Sequence, residues 1–187
     1  AGYAYEVIKN FSVSATFKYL FSDMGRIGNS RGASSVAFDL GVLYKCEIND
    51  WEGAGWSVGL HVSNLGPKIN YLTSKDALPA TVKVGGAADL PFLQMHKLTL
   101  TADLGYRLSP ADVQALSVSA GAEYAWRELV MLRGGYHCGD KKKGDASYAT
   151  AGAGVEYAGV RLDFAWLFAG HEYLARNTFW VSLGYSF

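Results

Sequence analysis

The sequence predicts an all-β protein, an antiparallel up-and-down transmembrane β-barrel, on three observations. Nearly every segment alternates apolar with small or polar residues at period two, and no segment sustains the i, i+3, i+4 stripe of a helix. The alternating segments run about ten or eleven residues, against a mean of about five or six in soluble proteins. No stretch approaches the roughly 18 to 20 consecutive apolar residues that a membrane helix needs, although half of the 187 residues are hydrophobic and 14% are aromatic. Charged residues make up 18%, below the roughly 25% usual for soluble domains, so neither disorder nor an ordinary solvated coat fits. Lys+Arg and Asp+Glu both number 17, which removes the basic footprint of a nucleic-acid binder.

Taken in order, the apolar faces begin with Tyr3/Tyr5/Val7, then Phe11/Val13/Ala15/Phe17/Tyr19/Phe21 and Val36/Phe38/Leu40/Val42/Tyr44. Trp56/Val58/Leu60/Val62 and Val82/Val84/Ala88/Leu90 follow, and then Leu98/Leu100/Ala102/Leu104/Tyr106. The next are Leu116/Val118/Ala120/Ala122/Tyr124/Trp126, Val130/Leu132/Tyr136 and Ala149/Ala151/Ala153/Val155/Tyr157. Val160/Leu162/Phe164/Trp166/Phe168 and Phe179/Val181/Leu183/Tyr185/Phe187 complete about eleven strands. No linker or low-complexity stretch interrupts them, so residues 1–187 read as one domain.

A soluble sandwich also alternates, so the direction of each face rests on further features. About ten residues at 3.3 Å, tilted by about 40°, span roughly 25 Å of hydrocarbon. The opposite face is mostly Gly, Ala, Ser and Thr, with charges of both signs such as Lys18, Asp39, Asp89, Glu123, Arg133, Arg161 and Asp163, which is the pattern of a lumen whose charges pair across strands. Aromatic residues recur at the ends of the apolar faces, where rings sit at lipid headgroups. Connections alternate: Lys9-Asn10, Arg127-Glu128 and Ala158-Gly159 are tight, whereas 22–34, 66–79, 107–113, 139–146 and 169–176 are long. Short periplasmic turns and long extracellular loops explain the alternation, with the C-terminus periplasmic. An odd tally cannot close antiparallel, so either the count of about eleven is off by one or further strands precede Ala1, as the start inside a strand suggests.

The chemical motifs are sparse. Gly55-Trp56-Ser57-Val58-Gly59 matches a nucleophile elbow, with Asp103 and His171 following in hydrolase order, but Trp56, Val58, Leu60 and Val62 continue as one strand where an elbow needs a sharp turn. His137-Cys138-Gly139-Asp140 and His171-Glu172 lack partner ligands at metal spacing. No catalytic residue, cofactor or metal is therefore expected. Lys141-Lys142-Lys143, with Asp140 and Asp145, is either a solvated outer loop or a contact for lipopolysaccharide phosphates or a protein. Cys46 and Cys138 fall at opposite ends of the barrel and are expected to remain unbridged.

Val62-Ser63-Asn64-Leu65-Gly66-Pro67-Lys68-Ile69-Asn70-Tyr71, followed by Leu78-Pro79 and Thr81-Val82-Lys83-Val84-Gly85, resembles the PorV/PorQ family, and PorV most. Phe17-Lys18-Tyr19-Leu20-Phe21-Ser22, Leu132-Arg133-Gly134-Gly135-Tyr136 and the aromatic ending Val181 to Phe187 are similar to the family's strands. The resemblance implies a FadL-like outer-membrane barrel of about fourteen strands, some three of which would precede Ala1 with a plug region. It implies a non-enzymatic component of type IX secretion that binds the C-terminal signal domain of cargo leaving a large translocon barrel and shuttles it to the surface attachment complex. Outer-membrane lipid and lipopolysaccharide would surround it. Met24, Arg26, Ile27, Lys68, Ile69, Tyr71 and Leu72, in outer loops, are the expected partner-binding residues. Two other readings stand beside this one: a FadL-type transporter of hydrophobic small molecules, which needs an apolar pocket, and a soluble β-sandwich hydrolase using Ser57.

Overall fold

The computed structural model describes residues 1–22, 33–70, 75–170 and 177–186. Its main element is one eleven-stranded sheet in which every neighbouring pair is antiparallel and sequential. The strands are β1 (Gly2–Ile8), β2 (Phe11–Ser22), β3 (Ala33–Glu47), β4 (Gly55–Leu65), β7 (Thr81–Phe92), β8 (His96–Arg107) and β9 (Leu116–Trp126), then β10 (Val130–Cys138), β11 (Tyr148–Tyr157), β12 (Val160–Ala169) and β13 (Phe179–Tyr185). Between β4 and β7, β5 (Ile69–Asn70) pairs with β6 (Lys75–Asp76) as a small separate hairpin, which periodicity could not reveal in two-residue strands. All eleven alternating segments are strands of the main sheet.

Local chemistry sets the turns. Ala158 and Gly159 both have positive φ, 51° and 80°, so the two-residue turn between β11 and β12 matches the twist of its strands. A Cβ on Gly159 would lie 2.5 Å from Ser186 O, so this turn is also pressed against the end of β13. The tight turns at Asn10 and at Arg127-Glu128 likewise use left-handed residues, as does Leu93-Gln94 between β7 and β8. These connections, with 48–54, share one end of the sheet; the segments after β2, β4, β8, β10 and β12 share the other. Among the described residues no ladder joins β1 to β13, and these edge strands run in the same direction.

The outward face is the one the alternation marks as apolar. Leu183 is 75% exposed, Val181 61%, Phe164 40% and Trp166 37%. Among the described residues no large side chain is fully buried, and the buried ones are chiefly small and lie on the opposite, inward face or in connections, such as Ala37, Ala54 and Ala115. A soluble sandwich would hide Phe164 and Trp166 in a core. The sandwich reading therefore fails, and the apolar face is left to meet lipid tails. Cys46 and Cys138 are free, at opposite ends of the sheet.

Ala151, outward and near the middle of β11, has little side chain to lose. Ala151→Arg should cost folding into lipid vesicles about 2–4 kcal/mol, read from urea titration of the inserted state; a cost within about 0.5 kcal/mol would match a water-facing position instead.

Candidate functional site

At the long-connection end a strap, described over residues 65–70 and 75–80, is laid against the inward face of β3. It begins at a bulge. Phe38 pairs with Leu65 but Leu40 pairs with Val62, so β4 carries one extra residue, and Asn64 takes a φ of 57°. Asn tolerates that conformation better than branched residues do. The bulge frees the Asn64 N–H from the ladder, and Asp39 Oδ1 accepts it at 2.8 Å. Lys18 Nζ completes the cluster, 2.5 Å from Asp39 Oδ2 and donating to Asn64 Oδ1 at 3.2 Å. Asn64 Nδ2 donates to Pro79 O at 3.2 Å, tying the two ends of the strap together.

Gly66 then allows a close approach that no other residue permits. A Cβ there would fall 2.1 Å from Val36 O and 3.2 Å from Ala37 Cα. Ser35 Oγ donates to Pro67 O at 3.1 Å, and Leu78 is buried, its Cδ1 2.9 Å from where a Cβ on Gly66 would stand. From this anchor Lys68 emerges exposed, Ile69 is half-buried in β5, and Ile69 pairs with Asp76. Of the expected partner-binding residues, Lys68 and Ile69 are thus adjacent on one anchored segment; Met24, Arg26, Ile27, Tyr71 and Leu72 lie outside the described residues. The anchor itself escaped sequence reading. Its one visible signal was Asp39, a carboxylate in an otherwise small inward stripe.

On the inward wall several charges pair across strands, and Arg161 pairs with Asp163 within β12. Arg133 on β10 ion-pairs with Glu123 on β9, and its Nη1 reaches Asp163 Oδ1 on β12 at 2.5 Å. Arg161 Nε holds Asp163 Oδ2 at 2.7 Å, and Lys97 Nζ holds Asp89 Oδ1 at 3.1 Å. Arg133 must cross β11 to reach β12, and Gly154 makes room: its Cβ would sit 2.5 Å from Asp163 Oδ1 and 3.3 Å from Arg133 Nη1.

A second inward cluster fastens the loop after β10. His137 Nε2 lies 3.0 Å from Asp145 Oδ1, and Ser119 Oγ is 3.0 Å from His137 Nδ1, while Tyr148 stacks on the imidazole at 4.8 Å. These distances are those of a Ser-His-Asp relay. Ser119, however, sits in mid-strand, paired with Asp103 on one side and His137 on the other, so the β9 amides around it are committed to ladders and cannot hold an oxyanion. The cluster is a clamp. Beyond it, Lys141–Lys143 form a single 3-10 turn whose Lys142 N–H is capped by Asp140, and Lys143 Nζ donates to Asp112 O at 3.3 Å. Ser57 faces inward in the unbroken strand β4, opposite Lys45 and Ala87, not on an elbow. His171 and Glu172 lie outside the described residues, among which no group of three or more His, Cys, Asp or Glu gathers. A groove of about 480 Å³ is lined by Val42, Leu43, Leu60 and several glycines, with His61, Lys83 and Asp103 among them, so its lining is mostly apolar.

Long antiparallel up-and-down strands, an exposed apolar face and a charge-paired inward wall define a β-barrel protein of the outer-membrane class. Residues 1–114, more than half of the chain, match the family model of "Type IX secretion system protein PorV". The chain belongs to the PorV family, which places it in the type IX secretion system. The match contains β1 to β8, the Lys18–Asp39–Asn64 cluster and the whole strap. No curated protein matches the chain significantly.

Two expectations test this geometry. Asp39→Ala removes the acceptor of Asn64 N–H and the partner of Lys18, and should speed tryptic cleavage at Lys68 or Lys75 on the order of tenfold in the folded protein; unchanged cleavage would mean the strap is held elsewhere. Gly154→Val should lower unfolding free energy by about 1–3 kcal/mol, and pairing it with Arg133→Gln should cost less than the sum, since both break the same ion pairs.

Proposed function

We propose that this PorV-family chain acts by binding, not catalysis: it takes the C-terminal signal domain of cargo leaving the type IX translocon barrel and passes that cargo to the surface attachment complex. Residues 1–187 work as one barrel domain whose long connections face the extracellular side and whose C-terminus faces the periplasm. The observation that carries this reading is the strap. Its ion-paired anchor on β3 presents Lys68 and Ile69 at the long-connection end, the part of the molecule that neither lipid tails nor the inward wall occupies. A pre-anchored segment loses less conformational freedom on docking than a free loop does.

Met24, Arg26, Ile27, Tyr71 and Leu72 extend the proposed docking region in sequence, and Lys141–Lys143 face lipopolysaccharide phosphates beside it. The FadL-type alternative rests on the groove along β2 to β7, whose lining is mostly apolar, and the experiment below separates it from cargo recognition.

The test is a pull-down from outer membranes through a tagged chain. Recovery of a very large barrel together with secreted proteins bearing C-terminal signal domains is the expected result. Lys68→Glu with Ile69→Asp should reduce cargo recovery at least several-fold while leaving the large barrel bound. Recovery of neither partner, with bound fatty acid instead, would contradict the proposal and favour transport.

A further inference from the structure

The short-turn end of the sheet holds a cation that no carboxylate neutralises among the described residues. Arg127 opens the turn between β9 and β10 at a φ of 53°, and its N–H donates to Met95 O at 2.7 Å, which binds this turn to the neighbouring one. Its side chain is equally fixed. The guanidinium carbon lies 5.3 Å from the Trp126 ring centroid, and Nε donates to Met95 Sδ at 2.9 Å. Arg133 and Arg161, on the inward wall, are each held by carboxylates. Arg127 instead lies over an outward-facing aromatic ring.

That ring is one of a group at the edge of the apolar face. Trp126 pairs across the ladder with His96, whose Nδ1 is 2.6 Å from Tyr124 Oη, and Phe92 stacks on His96 at 5.4 Å. Indole and phenol rings settle at the level of lipid headgroups. A planar guanidinium resting on such a ring keeps its terminal nitrogens as a fork that matches a phosphate in two hydrogen bonds. Below the rings, Leu98 and Leu100 continue the apolar face on β8.

We propose that Arg127, seated on Trp126 beside the Tyr124–His96 pair, binds the phosphate of one membrane glycerophospholipid whose acyl chains run along the outward face of β8 and β9. Charge complementarity argues for this occupant: the site offers a positioned, unneutralised cation at the boundary where anionic phosphates meet hydrocarbon. The inference rests on the outward face being lipid-facing and not on the secretion role.

The experiment titrates the folded protein in detergent micelles with dimyristoylphosphatidylglycerol and counts retained lipid by native mass spectrometry. One lipid should be retained, about tenfold or more weaker in Arg127→Asn, a substitution that keeps the left-handed turn. Trp126→Leu should weaken retention as well, whereas Lys9→Gln, which removes an exposed cation at the same end, should not change it. Equal retention in wild type and Arg127→Asn, or equal loss in Lys9→Gln, overturns the site. Competition by inorganic phosphate alone would make it a free-ion site and overturns the lipid assignment. A wild-type chain that stays folded and soluble without detergent removes the lipid-facing surface itself, a failure distinct from loss of the single lipid.

Discussion

Everything in this molecule depends on the strict alternation of its long strands between an apolar face and a hydrophilic one, in a sheet that has no conventional core behind it. In a water-soluble protein the large apolar side chains supply the stability by packing against one another. Here they stand exposed around the whole outward face, while the buried side chains are mostly alanine and serine. Such a sheet is stable only where hydrocarbon takes the place of a core and where the ladders satisfy every backbone group at membrane depth. A register slip of one residue would turn the outward Phe, Trp and Leu side chains of a strand inward.

The inward wall meets a different requirement. Ladders between sequential neighbours connect strands only one at a time, and the inward charges add links over a longer range. Arg133 joins β9 to β12 across an intervening strand, made possible by the absence of a side chain at Gly154. Lys18 and Asp39 join β2 and β3 to the bulge at Asn64. Each pair is partly exposed and individually modest, but together they fix which strands lie opposite one another. They also couple wall and strap: the cluster that braces β2 to β4 is the one that anchors the strap.

The strands were legible in the sequence because a period of two over ten or more residues admits few other readings. Phe179, Val181, Leu183 and Tyr185, for example, fall where the alternation put them. The tight turns at Asn10, Arg127-Glu128 and Gly159 were legible from the break between alternating segments, two of them also from Asn or Gly at a left-handed position, whereas the turn at Leu93 and Gln94 was not. The strap was half legible. Its Asn64 to Gly85 block carried the family resemblance, but its path over β3 depends on contacts between residues far apart in sequence, Gly66 against Val36 and Asp39 against Asn64, which alternation cannot report. The same holds for the His137–Asp145 clamp, whose partners sit on either side of a loop that reads only as charged.

The most direct measurement is depth-dependent quenching of single-tryptophan variants in vesicles whose acyl chains carry bromine. Trp166 faces outward on β12, opposite Phe179, and the next residue of β13, Trp180, faces inward opposite Ala165. The account predicts strong quenching of Trp166 by acyl-chain bromine and weak quenching of Trp180, which should yield instead to a water-soluble quencher. Protection of Trp166 from lipid bromine and from aqueous quencher alike would place it in a protein interior and contradict the account.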